Sequence, residues 1–572
     1  YITILIALIS IFLFSFLSTL FFLCCGIIFY RNDEVSFSNL NILVILGAVI
    51  ISFISVSINY FLPLDKNINL IIFILISLIG IFLIIYKRIL YLSFLVCILS
   101  SLICTLILLF DTIYRPDASM YHLPYTKIIN DSKLIFGISN VHFRFGHTSI
   151  LQYLNASLYN NFFLEKGILL PAAIIFSSIN MYFTSEIYKN VAIDKIYSFF
   201  IFLILTYVLY GFNRYSEFGN DTIAHLIFLL ITTFILKKDF ISLVNYKLFN
   251  KILILSLFCF ALKSSLILIF LIPAYIFIKY FKKNFIFNFA NIFAISFILI
   301  WLIKNLLISG CLIYPIEITC FEKLAWLSND TRFNISPKFQ SLDNQAWSKG
   351  WSNYYGEEIK REDYVKNFFW LKTWGSVHGL LIFKKLIIYI LLITGLFIAF
   401  KNIDKKKIDF SIKISDEVKF LLLLSLIGTL IWFLRFPLYR YGSAYIILLL
   451  VTSVVIFCFK YNFNKKNDKI FKKFINIFLI SFFVLFISKH ILRIYKNIYM
   501  TPNKSVWPEF YSNNNINKEF RSEAIYIDGK IAYYLLKEGF GCGYTLSPCS
   551  PYKMKDVKIN EKRGYKFYIL NK

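Results

Sequence analysis

Four polar stretches interrupt long apolar runs in this chain, and they hold side chains able to move a proton and grip a phosphate. The first runs from Phe110 to Pro124 and carries Asp111, Asp117, Tyr121 and His122, with His142, Arg144 and His147 further on. The second, 213–222, carries Arg214, Glu217 and Asp221. The third is Lys263, standing between two short apolar runs, and the fourth is Arg435-Phe-Pro-Leu-Tyr-Arg440. A carboxylate can take the proton from an acceptor hydroxyl. Arg and Lys can hold a phosphate and stabilise it as it leaves. A set of this kind beside a membrane fits glycosyl transfer from a sugar carried on a polyprenyl phosphate. The sequence has no Gly-rich nucleotide loop, in keeping with a lipid-borne donor. If 117–122 is helical, Asp117 and Tyr121 share a face at i, i+4, and Pro124 suits a first helical turn.

Each of these residues also has a plainer reading. Asp117 and Asp221 suit helix caps, Asp111 and Glu217 a solvated boundary, and Lys263 a snorkelling position. His122 can bind phosphate or brace its loop. His142, His147, His225 and His378 read as structural. Arg435 and Arg440 stand against the positive-inside bias, which favours phosphate binding. Trp347, Trp351, Trp370 and Trp374 read as an interfacial aromatic belt.

The elements that must position these groups are membrane helices. The 572 residues are 58% hydrophobic and 19% aromatic, and only 16% are charged. A soluble fold leaves no place for that much apolar surface. Apolar runs of ~20 residues recur, the length that crosses ~30 Å of hydrocarbon. An all-α polytopic protein with about fourteen spans is expected, at 3–29, 41–62, 69–86, 89–110, 166–185, 196–212, 221–236, 251–262, 264–279, 285–307, 379–400, 418–434, 443–459 and 474–492. The pair 251–262 and 264–279 is short enough to form a re-entrant hairpin instead. A membrane β-barrel is excluded, because its strands alternate rather than run apolar.

The net charge of +28 comes from Lys in short loops between spans, so nucleic acid is not an expected partner; the lipid bilayer is. Placing the loops around Lys237/Lys238, Lys282/Lys283, Lys405/Lys406 and Lys465/Lys466 in the cytoplasm satisfies the alternation. Loops 111–165 and 308–378 and the tail then lie outside, at the inner membrane of a bacterium. The chain divides into a membrane domain, 1–492, and a small α/β domain, 493–572, with strand-like runs at 524–527, 557–559 and 565–570 and a helix-like run at 530–537. Six of the 10 Cys fall in spans. Cys311/Cys320 and Cys542/Cys549 fall on the oxidising side and are expected to form two disulfides. No Cys or His spacing reads as a metal site.

The stretch Asp117-Ala-Ser-Met-Tyr-His-Leu-Pro124 resembles the first outer loop of bacterial GT-C-type membrane glycosyltransferases. Asn220-Asp-Thr-Ile-Ala224 is similar to their second acidic motif. Ser309-Gly-Cys-Leu-Ile-Tyr-Pro315 is similar to the element opening their large outer loop, with Leu312 in place of the usual Pro. Pro548-Cys-Ser-Pro551 is similar to tails of uncharacterised bacterial members. Pro116 stands where the family usually has Trp. The resemblance implies an inverting transferase using a polyprenyl-phosphate-linked sugar, with Asp117 as catalytic base. It implies Asp221 as a second acidic residue holding the acceptor or a divalent cation, which some relatives use and others do not. Tyr121, His122, Arg144, Lys263, Arg435 and Arg440 are the expected substrate-binding residues. Two rival readings remain. An oligosaccharide-repeat polymerase or ligase would rely on Arg and His of 308–378. A transporter or lipid flippase would carry polar groups at the membrane midplane, where this sequence has few.

Overall fold

Backbone N–H and C=O groups find no partner in hydrocarbon, so each apolar run must close its hydrogen bonds within itself as a helix. A computed structural model describes residues 2–30, 35–113, 116–211, 219–237, 246–280, 289–327, 336–356, 358–402, 414–460, 468–500, 504–510, 522–527, 529–537, 541–554 and 557–570. Its helices are α1 (Ile2–Phe29), α2 (Phe37–Asn59), α3 (Lys66–Tyr86), α4 (Leu90–Leu108), α5 (Leu123–Asp131), α6 (Ile150–Ser157), α7 (Leu170–Asn190), α8 (Lys195–Gly211), α9 (Asn220–Ile235) and α10 (Tyr246–Leu262). They continue as α11 (Leu271–Tyr280), α12 (Phe289–Ser309), α13 (Pro337–Ser348), α14 (Arg361–Lys366), α15 (Trp370–Trp374), α16 (Leu380–Asn402), α17 (Asp416–Arg435), α18 (Tyr439–Lys460) and α19 (Asp468–Met500).

Each expected span falls on a helix, but they are not equal. Among the described residues ten helices are long and apolar enough to cross a membrane by themselves. This is the build of a multi-pass membrane protein. The segments α8, α9, α10 and 264–280 are shorter, at 16 or 17 residues, so ten of the about fourteen expected spans are of full crossing length among the described residues. The break between α10 and α11 is a tight 3-10 turn, Ser264–Phe270, opening at Lys263.

Helices α2 and α7 are buried along most of their length. Gly26 and Gly47 let α1 and α2 touch backbone to backbone: a Cβ on Gly47 would come 1.8 Å from the Phe22 carbonyl oxygen, the close approach that small residues permit between membrane helices. The flanks of α3, α17 and α19 present Leu75, Leu78, Phe82, Leu430, Ile480 and Val484 outward.

The tail differs from expectation in two ways. Helix α19 runs on to Met500, past the expected boundary at 492. The segment expected to be a helix at 530–537 is a strand. Its Lys, Ala and Leu favour a helix locally, but pairing on both edges overrides them. Strand β1 (Ser522–Ile527) runs antiparallel to β2 (Lys530–Leu536), β3 (Cys549–Ser550) pairs with β2 in parallel, and β4 (Val557–Lys562) and β5 (Tyr565–Leu570) form a hairpin. The described part of the tail beyond α19 is therefore β rather than α/β. It docks on the segment after α5: Phe136 N–H donates to Lys566 O and Tyr568 N–H to Phe136 O, both at 2.9 Å. Disulfides join Cys311 to Cys320, just past α12, and Cys542 to Cys549 beside Ser119.

Candidate active site

Beyond α4 the chain turns at Phe110, whose φ is +54°. It then enters one wide turn of π-helix, Ala118–His122, closed by the Leu123 N–H on Ala118 O. Such turns recur at functional sites, because the extra residue re-aims the side chains around it. Helix α5 follows with Pro124 in its first turn. Asp117 has helical backbone angles and caps nothing, so the cap reading falls. Its carboxylate faces Arg440 instead. Asp221 lies in the first turn of α9, whose cap position is Gly219, so it is no cap either.

Five groups from distant segments form a chain of alternating charge. Arg144 Nη1 lies 3.7 Å from Asp117, and Arg440 Nη1 donates to Asp117 at 2.9 Å. Arg440 Nε lies 4.0 Å from Asp221, and Lys263 closes the chain by donating to Asp221. One guanidinium thus spans both carboxylates, which its fork of donors allows and an ammonium does not. Lys263 does not snorkel. It is 8% exposed, donates to the Arg440 carbonyl at 3.2 Å and lies over the Tyr441 ring. His225 Nε2 meets the same carbonyl at 2.8 Å. Since a carbonyl can only accept, the proton sits on Nε2. The first turn of α18 is therefore pinned, and Arg440 is aimed. Burial pushes the Asp117 carboxyl up, but the Arg440 and Arg144 guanidiniums outweigh it and hold it below the usual carboxylate range. Asp117 is ionised at neutral pH.

Four of these groups, Asp117, Arg144, Asp221 and Arg440, line a cavity of about 500 Å³. Leu226, Leu229, Leu381 and Ile382 add apolar surface to the same lining. A smaller polar pocket of about 40 Å³ joins Asp117 to Asp221 past Tyr121, His122 and Tyr441. Tyr121 lies under the Arg144 guanidinium, 5.2 Å from ring centre. His122 is buried, with Nδ1 3.4 Å from Gln152 Nε2. Burial pushes its imidazole down to about 4, so at neutral pH it braces the turn and brings no charge to a phosphate. His142 is buried against Tyr552 and His147 half-buried against Tyr314, and loss of solvent pushes both down to about 3.

Two expectations change. Arg435 ends α17 exposed and lines neither pocket; only Arg440 of that pair joins the site. Asp111 is not solvated: it is buried and pairs with Arg493 of α19 at 3.1 Å. Arg214 and Glu217 lie outside the described residues. Sequence reasoning missed Lys385, Tyr207 and Tyr439. Lys385 lines the cavity from α16 and lies over the Tyr439 ring, and the Tyr439 and Tyr207 hydroxyls are 3.0 Å apart. The signal was present: Lys384 and Lys385 open an apolar run at the end opposite the Lys-rich loops. Trp347, read as belt, lies against Arg440 at 5.4 Å, and His378 lines the cavity.

The residues do not fit a divalent cation. Among the described residues no three His, Cys, Asp or Glu converge, and guanidinium and ammonium groups already occupy the two carboxylates.

Residues 4–447, which include every member of the charged chain, match a family described as a domain of unknown function (DUF8201). No curated protein and no solved structure matches the chain.

Proposed function

The chain belongs to this family, and we propose that it is a membrane glycosyltransferase of GT-C-like build that moves a sugar from a polyprenyl phosphate to a hydroxyl acceptor. The observation that carries this reading is a single cavity whose lining joins Asp117, Asp221 and Arg440 to Leu226, Leu229, Leu381 and Ile382. The apolar part of that lining suits a prenyl chain and the charged part a sugar phosphate. Arg144, Arg440 and Lys385 line it against the two carboxylates, and Lys263, outside the lining, is tied to Asp221. That surplus suits a phosphodiester, and suits the more highly charged phosphomonoester that it becomes still better.

In this mechanism the acceptor oxygen attacks the anomeric carbon as its bond to the phosphate oxygen breaks. The prenyl phosphate leaves with the electron pair, held by Arg440 and Arg144. The acceptor proton passes to the Asp117 carboxylate. Paired with arginines, Asp117 is a weak base, so it takes the proton late, as the new C–O bond forms. Asp221, tied to Lys263, orients the acceptor. A single displacement inverts the anomeric centre.

The sidedness belongs to the same proposal: the site faces away from the cytoplasm at a bacterial inner membrane. Its support is the alternation of spans, which sets the Lys-rich loops of the sequence on the other side, and the two disulfides on this one. For a polymerase or ligase reading the 308–378 loop offers His378, which lines the cavity, while its Arg361 is tied to Asp343 and lines neither pocket. The test uses purified protein in lipid, a polyprenyl-phosphate sugar labelled in the sugar, and cell-envelope glycan acceptors. Release of polyprenyl phosphate with an inverted product is expected. No release, or release undiminished in Asp221→Asn, overturns the proposal.

A further inference from the structure

Beyond residue 447, where the family match ends, the chain returns to the turn that carries Asp117 and holds it on both sides. On the approach side, Phe110 N–H donates to Val506 O at 2.8 Å and Asn497 Nδ2 donates to Phe110 O at 2.9 Å. Arg493 meets Asp111 and also donates to the carbonyls of Leu106 and Leu109. The left-handed φ of Phe110 is disfavoured for a residue with a Cβ and persists only where surroundings over-determine it.

On the exit side, Gly543 N–H donates to Ser119 O at 2.9 Å, within the π-turn itself. Gly541 lies flat on the same turn, where a Cβ would come 2.6 Å from the Ser119 carbonyl carbon. Tyr544 OH donates to Asn130 Oδ1 of α5 at 3.0 Å, and Lys127 lies over the Tyr544 ring. The loop making these contacts is closed by the Cys542–Cys549 disulfide, both cysteines buried, and Tyr534 N–H on Pro548 O ties it to β2. None of its residues lines either pocket.

We propose that the disulfide-closed loop 541–549 is a positioning device: it sets the π-turn so that the Asp117 carboxylate meets Arg440 and opens on the cavity. This rests on the reading of Asp117 as the base. Closing a loop with a disulfide removes its open conformations. A π-turn leans on partners outside itself more than an α-turn does, because its own ladder is interrupted.

The test compares the intact protein in lipid with a Cys542→Ser/Cys549→Ser double variant by amide hydrogen exchange. Exchange at 118–123 is expected to rise about tenfold or more while α7 stays as it was. Unchanged exchange at 118–123, or a rise shared equally by α7, overturns the proposal. The second variant, Gly541→Ala, keeps the disulfide and displaces the turn. Its kcat is expected to fall about 10- to 100-fold with the donor KM held, as a small misplacement of a reacting group does. Its acid limb should move up as Asp117 loses Arg440. An unmoved kcat overturns the proposal. Exchange needs no substrate: a brace detected in a protein that transfers no sugar sinks the reaction and keeps the brace.

Discussion

Asp111 and Asp117 stand close together in sequence, and each meets an arginine from a distant helix, yet the two pairs are built for opposite ends. Asp111 is buried, and the Arg493 guanidinium meets it through Nη1 while Nη2 donates to the carbonyls of Leu106 and Leu109. Neither residue lines the cavity or the smaller pocket. Asp117 and Arg440 open on a cavity, and the guanidinium divides itself between two carboxylates. The first pair is a strut. The second is over-subscribed, so an arriving phosphate can draw Arg440 toward itself. Ion pairing alone does not mark function; incomplete satisfaction beside a cavity does.

The sharpest way to break this contrast is to neutralise each carboxylate. Asp117→Asn should lower turnover about 10³-fold, within the range for loss of a general base, with membrane abundance unchanged. Asp111→Asn should act mainly on folding: an arginine left without its counter-charge costs up to about 3–5 kcal/mol, so abundance falls, while turnover per folded molecule falls far less than in Asp117→Asn. Turnover assays normalised to folded protein, with thermal unfolding beside them, decide it; exchanged phenotypes would end the contrast.

A smaller effect is expected at the arginines. Arg440→Lys keeps the charge and loses the bridge, so turnover should fall about 10²-fold, read by product release at saturating donor. Smaller again is Lys385→Met, expected to raise the donor KM about tenfold and leave kcat nearly unchanged if Lys385 holds phosphate in ground and transition states alike.

The smallest effect is on pH dependence. Arg440 and Arg144 hold Asp117 below the ordinary carboxylate value of ~3.9. The stability that its pairing brings is therefore fully present above that value and lost as pH falls through the depressed one. Activity limited by Asp117 should be flat from neutral down to about pH 5. Arg144→Gln should shift the acid limb of kcat/KM upward, and a limb that stays or moves down contradicts the pairing.

The membrane helices were legible because apolar length has one solution in hydrocarbon. Asp117, Arg144, Asp221, Lys263 and Arg440 were legible as charges at span ends on one side, where lipid-facing helices need none. Their order along the charged chain was not, since it depends on which helix tips meet. Lys385 was passed over although Lys384 and Lys385 stand together at the start of an apolar run, because Lys near a span end ordinarily snorkels. Arg435 misled because it shares a turn with Arg440, and only the backbone path into α18 separates them. Strand β2 misled because its composition is helical and its neighbours decide otherwise. The Asp111 strut could not be seen, because its partner sits on the last helix.

The cysteines carry a practical consequence. Cys24, Cys25, Cys97, Cys104, Cys259 and Cys458 are buried and the other four are bonded, so the native protein offers a thiol-reactive dye almost nothing to label. A single cysteine introduced at Thr222 or Leu381 would report from a dark background. Protection of that thiol by a prenyl phosphate or by a sugar would map which wall each ligand covers, without removing any native residue of the charged chain.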